Sequence, residues 1–210
     1  MNRLICALTV LWGLLIINQS FANSGDPLLP ESERPSIRLN TTQKEYVTKL
    51  FYAFDPVCQK YGINTKVAIT QAIVEQGWTL REDFRIFNIM SLSKENSKLV
   101  YDNGEKRYRR YRVYENLQNA IEDYCKVLAN YPTYRSQGLF NSIDPRKQIK
   151  AIVKGGYATN KNYEQLSLKV LYLVAPIVDE LRTLQALGNQ DGFKQEVVYG
   201  YSIKQPLNEM

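Results

Sequence analysis

From Val67 to Leu80 the sequence reads VAITQAIVEQGWTL, and its one charged residue is Glu75. On a helical wheel Glu75 falls beside Ala68 and Ala72, inside an apolar surface rather than opposite it. It also sits in the last turn before Gly77, where the helix dipole disfavours a negative charge. Desolvation and dipole together push such a carboxyl toward the protonated form. A carboxylic acid that keeps its proton near neutral pH can deliver it to a leaving oxygen, the step that opens a glycosidic bond. The ordinary alternative is a solvated glutamate at a helix end. Trp78, just past the helix stop, is open in the same way: a core residue or a platform for a sugar ring.

What is missing narrows the chemistry further. The chain has no histidine, so it holds no Ser-His-Asp or Cys-His arrangement, no HExxH zinc site and no imidazole ligand. Its reactions must run on carboxylates, tyrosines, lysines or water, and no metal or organic cofactor is called for. The net charge is +6 with 15 tyrosines, a balance that suits an anionic polymer such as cell wall. Nucleic acid would suit it as well, but the N-terminus argues against that partner. Asn2-Arg3, the apolar run Leu4 to Ile17 and the small residues of Ser20-Phe21-Ala22 form the pattern of a cleaved secretory signal. The run is shorter than the roughly 20 residues that cross a bilayer. The expectation is residues 1–22 as signal peptide and a periplasmic or secreted product, with no membrane insertion after cleavage. Protein partners are left undefined. Beyond the signal two cysteines remain, Cys58 and Cys125, which could pair in an oxidising compartment or sit as buried thiols.

These residues need elements to position them. Residues 23–40 are rich in proline, serine and charge and read as a linker. Thr42 and Glu45 have the spacing of a capping box. The apolar series Tyr46, Val47, Leu50, Phe51, Phe54, Cys58 and Tyr61 then predicts a helix, kinked or split at Pro56 and closed at Gly62. Asn64 or Thr65 opens a second helix that runs to about Gln76 and carries Glu75. From Lys98 to Tyr114 the pattern alternates around Asn103-Gly104, which predicts a β-hairpin. Leu117 to Leu128 predicts a helix ending before Pro132, and Asp144-Pro145 starts another that stops at Gly155-Gly156. A last helix carries Tyr163 to Leu181, bent at Pro176, and a polar tail follows from about Gln185. The expected fold is α+β and mostly α, with one domain over 41–184, a hairpin lobe and a tail over 185–210.

Four blocks, in order, carry a resemblance. AITQAIVEQGW (68–78), IFNIMSL (86–92), YRVYENLQNAIEDYCKVLANYPTY (111–134) and GGYATNKNY (155–163) resemble the motifs of the glucosaminidase family of peptidoglycan hydrolases, glycoside hydrolase family 73, which includes flagellar autolysins and Bax-like proteins. The resemblance implies a lysozyme-like fold and an endo-β-N-acetylglucosaminidase acting on peptidoglycan glycan strands. Within it Glu75 matches the catalytic acid, and Tyr157 a cleft tyrosine of catalysis or substrate positioning. Trp78, Phe87 and Tyr163 fall at positions that shape the cleft and contact substrate.

Some positions depart from the motifs. Gln76 stands for the usual serine, Thr79 for a glycine, Asn88 for the glycine of the Phe-Gly-Ile turn, Met90 for its lysine, and Asn160 for an aspartate. At the register of the family's hairpin glutamate this chain has Val100. Asp102, Glu105 and Glu95 are the candidate second carboxylates, with Asp102 preferred; an acetamido group of the substrate could replace all three. A muramidase or lytic transglycosylase on the same scaffold, or a wall-binding protein without activity, are the rival readings.

Overall fold

The structure, a computed structural model, describes residues 38–102, 106–158 and 160–190. The expected signal peptide, most of the expected linker, the Asn103-Gly104 turn with Glu105, and the chain beyond Gln190 lie outside the described residues. Eight elements follow in order: α1 (Thr41–Tyr61), α2 (Thr65–Gln76), β1 (Ser97–Asp102), β2 (Arg107–Arg112), α3 (Leu117–Asn130), α4 (Pro132–Ser136), α5 (Pro145–Lys154) and α6 (Tyr163–Gln190). The mostly helical α+β class with a hairpin lobe is as expected.

The capping of α1 differs in register from the expectation. Asn40, not Thr42, is the cap: its side chain accepts from the Gln43 amide while the Gln43 side chain accepts from the Asn40 amide. Asparagine caps at least as well as threonine, and glutamine at the third position completes the box two residues earlier. Leu39 is already buried, so the core begins inside the stretch read as linker. Pro56 does not split α1, which continues to Tyr61 and closes on Gly62 at φ 70. The loss of one backbone donor is offset by neighbouring contacts. The Asp55 carboxylate, next in sequence, accepts from the Thr65 hydroxyl at 2.6 Å and from Arg182 at 2.8 Å, tying α1 to α2 and α6.

Helix α2 is the centre of the fold. It is buried on every side, Val67, Ala68, Ile69, Ala72, Ile73 and Val74 included, and packs against α6, α1 and α5. A helix apolar all round is a core helix, which is why the segment lacks a polar stripe. The strands pair antiparallel, Ser97 with Arg112 through Asp102 with Arg107, so a four-residue connection joins them. Tyr111 points its ring inward while Tyr108 stays exposed, so the two faces of the hairpin differ in burial. Arg112 holds both Asp123 oxygens at 2.7 Å, and the Tyr114 hydroxyl donates to the same carboxylate at 2.6 Å, anchoring the hairpin to α3. The sequence reading missed α4, because Pro132 there begins a helix instead of only ending one. Helix α6 runs through Pro176 and on to Gln190, into the stretch read as tail. Beyond Leu181 its apolar residues, Leu184 and Leu187, are exposed, so the core contact ends near the expected boundary although the helix does not. Cys58 and Cys125 are both free and buried. Burial above all, then the neighbouring Cys125 thiol, pushes the Cys58 thiol well above its usual range. Among the described residues no helix is long and apolar enough to cross a membrane.

Candidate active site

Glu75 lies one residue from the end of α2 and is 1% exposed. The Asn88 and Tyr163 side chains reach its carboxyl. The Asn88 amide donates to Oε2 at 2.8 Å, and the Tyr163 hydroxyl donates to Oε1 at 2.9 Å. Gln71, one helical turn before Glu75, fixes the second of these. The Tyr124 hydroxyl donates to Gln71 Oε1, which leaves the Gln71 amide nitrogen to donate to the Tyr163 oxygen at 3.2 Å. With its oxygen occupied as an acceptor from Gln71, Tyr163 turns its one proton toward Glu75. Burial, followed by the nearby Cys125, Cys58, Tyr134 and Glu75, pushes the Tyr124 hydroxyl well above its usual range, so the first donor in this row keeps its proton. The carboxyl thus feels opposed forces: burial disfavours its charge, while two donors favour it.

The loop after α2 supplies Asn88. Its residues at positive φ include Phe84 at 45° and Asn88 at 47°. Bulky residues rarely adopt this conformation, and asparagine tolerates it better. That accounts for one departure: the turn position where the family motif has glycine needs a left-handed residue, and asparagine meets the requirement while adding a side-chain donor. Neighbouring Phe87 is buried; its ring stacks on Tyr124 with centroids 3.9 Å apart, and its carbonyl accepts from the Tyr157 hydroxyl at 3.2 Å. Tyr157 reaches there through Gly155-Gly156. Gly155 lies so close to Tyr134 that an added Cβ would be 2.4 Å from the ring, and Gly156 turns the chain at φ 89.

The sequence-predicted residues therefore fall into three groups. Glu75, Tyr157, Phe87 and Tyr163 come together as one buried group of acid and aromatic rings. Tyr163, expected to meet substrate, instead lies fully buried on the Glu75 carboxyl, and the Phe87 ring is likewise closed to solvent; neither is an open sugar platform in this arrangement. Trp78 is half-buried and meets the Tyr46 ring edge-on at 6.3 Å. Asp102 ends β1 opposite Arg107, its side chain outside what is described; Glu95 is exposed in the loop before β1. Sequence reasoning missed Gln71 and the bond from Asn88. Gln71 was within reach, since residues four apart share a helix face. The Asn88 contact spans a loop and carried no such signal. Among the described residues no cluster of acidic, cysteine or histidine side chains could hold a metal ion.

Comparison with known proteins bears on the family and the fold. Residues 52–173 match the family model described as Glucosaminidase, mannosyl-glycoprotein endo-beta-N-acetylglucosaminidase. The peptidoglycan hydrolase FlgJ of Salmonella typhimurium is 25% identical over 153 residues, 65% of this chain and 47% of the relative. The chain therefore spans about half the length of the curated relatives it matches. Among solved structures, the glycoside hydrolase domain of that FlgJ superposes with TM-score 0.55 at 19% identity, covering 71% of this chain and 98% of the domain. A peptidoglycan hydrolase mutant from Sphingomonas sp. A1 gives TM-score 0.53 at 22% identity, over 65% of this chain and 99% of its own. At these identities the likeness establishes the fold, while the family model spans more than half of the sequence and includes Glu75, Asn88 and Tyr163: the chain belongs to the glucosaminidase family.

Proposed function

We propose that this protein is an exported peptidoglycan hydrolase, an endo-β-N-acetylglucosaminidase that cuts the glycan strands of the wall with Glu75 as general acid. The observation that carries the reading is the setting of Glu75: a lone carboxyl on the central helix, closed from water and held by Asn88 and Tyr163. Family membership and the names of the FlgJ relatives support the substrate. Residues 1–22 act as signal peptide and a linker leads to a catalytic domain that begins at Leu39, with its core contacts ending near residue 184, placing the product in the periplasm or outside the cell.

In this mechanism Glu75 protonates the glycosidic oxygen as the bond to the anomeric carbon breaks. Tyr163 and Asn88 hold the carboxyl in one orientation before the proton leaves and accommodate the carboxylate after it has gone. Tyr157, by its bond to the Phe87 carbonyl, fixes the turn that presents Asn88. In this reading Trp78 offers a ring face to a sugar, and Asp102, at the end of β1, is the candidate carboxylate to activate water. Where the substrate's own acetamido group attacks, Asp102 is dispensable.

Digestion of purified sacculi by the 23–210 protein, with mass spectrometry of the new chain ends, tests the reading. Reducing N-acetylglucosamine ends are expected. Reducing or anhydro-muramic ends would replace it with a muramidase or transglycosylase. Absence of new ends while the protein still sediments with sacculi would replace it with a wall-binding role. Glu75→Gln should lower the rate by about 10²- to 10⁴-fold.

A further inference from the structure

The charge of this chain is unevenly placed. Residues 124–163 hold seven lysines and arginines and one acid, Asp144, which is the whole of the net +6; the rest of the chain carries 20 charged residues of each sign. Four of the seven cations lie on α5. Arg146, Lys147, Lys150 and Lys154 are the exposed residues of that helix, while Gln148, Ile149, Ala151 and Ile152 are its buried side. With 3.6 residues per turn the four fall within a sector about 100° wide, and at 1.5 Å per residue they span about 12 Å. They form one ridge.

Local chemistry does not account for the ridge. Elsewhere Lys60, Lys66, Lys98, Lys126, Arg112 and Arg182 each stand within 3.6 Å of a carboxylate. Among the described residues none of the four cations of α5 is in an ion pair. The adjacent acid, Asp144, uses its carboxyl at the helix start, accepting from the Arg146 amide at 2.9 Å. On α6, which packs beside α5, Asp179 is taken by Lys66 at 2.6 Å. Helix α6 also carries Glu164 and Glu180, matched in number by its own Lys169 and Arg182. Repulsion runs along the ridge, because Arg146 with Lys150 and Lys150 with Lys154 are like charges four apart, a destabilising spacing. Arg146 and Lys147 also occupy the first turn, where the helix dipole favours acids. Neither arrangement helps the helix itself.

Anions supplied from outside would relieve both costs, and the shape of the ridge selects among them. A line of cations one helix wide suits a chain with repeating anions better than the broad plane of a bilayer. Helix α5 packs against α2, the helix that carries Glu75, but its cations lie on the outer side, away from the buried acid. We propose that the outer ridge of α5 is a second binding site, which holds peptidoglycan by the free carboxylates of its peptide stems, apart from the bond that is cut. Such carboxylates recur along a strand, so contacts that are individually weak act together. The ridge retains the enzyme on its polymer and takes no part in the chemistry at Glu75. This inference rests on the reading of the wall polymer as substrate.

Cosedimentation of the 23–210 protein carrying Glu75→Gln reads binding to sacculi without turnover. One batch of sacculi is freed of phosphate polymers with hydrofluoric acid, and a second also has its stem carboxylates amidated. Lys147→Gln/Lys150→Gln/Lys154→Gln is compared with Lys44→Gln/Lys49→Gln/Lys94→Gln, which removes as much charge from exposed positions elsewhere. Glutamine is close to lysine in helix propensity, so both triples should melt as the parent does. On the first batch the α5 triple is expected to bind about 3- to 150-fold more weakly, the sum of three exposed charge contacts, and the other triple to stay within about twofold. Lys147→Arg/Lys150→Arg/Lys154→Arg keeps the charge and should bind like the parent. On amidated sacculi the parent and the α5 triple should bind alike. Equal losses in the two glutamine triples overturn the proposal, as does a difference that persists after amidation. A difference confined to vesicles of anionic phospholipid, or to sacculi still bearing phosphate polymers, overturns it too. Binding through α5 by a protein whose Glu75 form cuts no sacculus would keep the second site and discard the hydrolase. Cleavage by a protein whose α5 triple binds undiminished would do the reverse.

Discussion

Replacing Asn88 by glycine removes the amide that donates to the Glu75 carboxyl. The amide donates at 2.8 Å to an oxygen that is otherwise closed from water. A hydrogen bond to a charged acceptor contributes roughly 1.5–3 kcal/mol, and 1.36 kcal/mol corresponds to a tenfold change in a protonation equilibrium. Without the donor the ionised form loses that support, so the acid holds its proton to higher pH. On the reading of Glu75 as general acid, the alkaline limb of kcat/KM should move upward by about one pH unit or somewhat more. Stability should fall by about the 1.5–3 kcal/mol of the lost bond, because the two backbone effects nearly cancel. Glycine relieves the φ of 47°, a gain of about 1 kcal/mol, and gives back about 0.5–1 kcal/mol in chain entropy. The assay is the pH profile of wall hydrolysis for wild type and Asn88→Gly, with a thermal melt for each. An unmoved alkaline limb would show that the amide does not act on the acid. A limb that moved downward would mean that Asn88 presents its oxygen to a protonated Glu75.

Other consequences concern the frame around the site. Gly155→Ala would set a methyl group 2.4 Å from the buried Tyr134 ring and should cost about 1–3 kcal/mol, read as a fall of several degrees in Tm. Glu122 is held below the usual carboxylate range, first by the Tyr61 hydroxyl and then by Lys60. A carboxyl depressed in the fold contributes stability above its unfolded pKa and loses it as pH falls through the folded one. Wild type should therefore lose more Tm than Glu122→Gln between pH 5 and pH 3, reckoned from the unfolded value of about 4.3; parallel melts would remove Glu122 from the acid response. Cys58 and Cys125 should resist iodoacetamide at pH 8 in the native protein and both react in urea without reductant, as peptide mass mapping would show.

Most of the fold was legible because its signals are local. Asn64 and Asp144 cap the helices expected of them, Gly62 closes α1, and alternation around residue 103 marked both strands. The misses are local as well, where two signals competed. Thr42 and Asn40 both offered a cap to the same helix, and the better box lay with Gln43. Pro132 read as an ending because a proline after an apolar helix usually is one, yet its fixed φ also suits the first turn of the next. Pro56 read as a break, but interior packing and the Asp55 network keep α1 in one piece.

The site was legible only as far as one residue could be judged by its own helix. An acid within an apolar run announces burial, and Glu75 is buried. What holds it is not written at any fixed spacing: Asn88 arrives from a left-handed turn, Tyr163 from a helix 88 positions later, and the order of donors runs through Tyr124 and Gln71. A departure from a motif acquires meaning only in this context. Glycine at position 88 would satisfy the backbone and leave the carboxyl with one donor fewer. Asparagine satisfies the backbone and also favours the ionised acid. A buried acid needs such donors if it is to return to its carboxylate once a proton has left, and Asn88 supplies one of them.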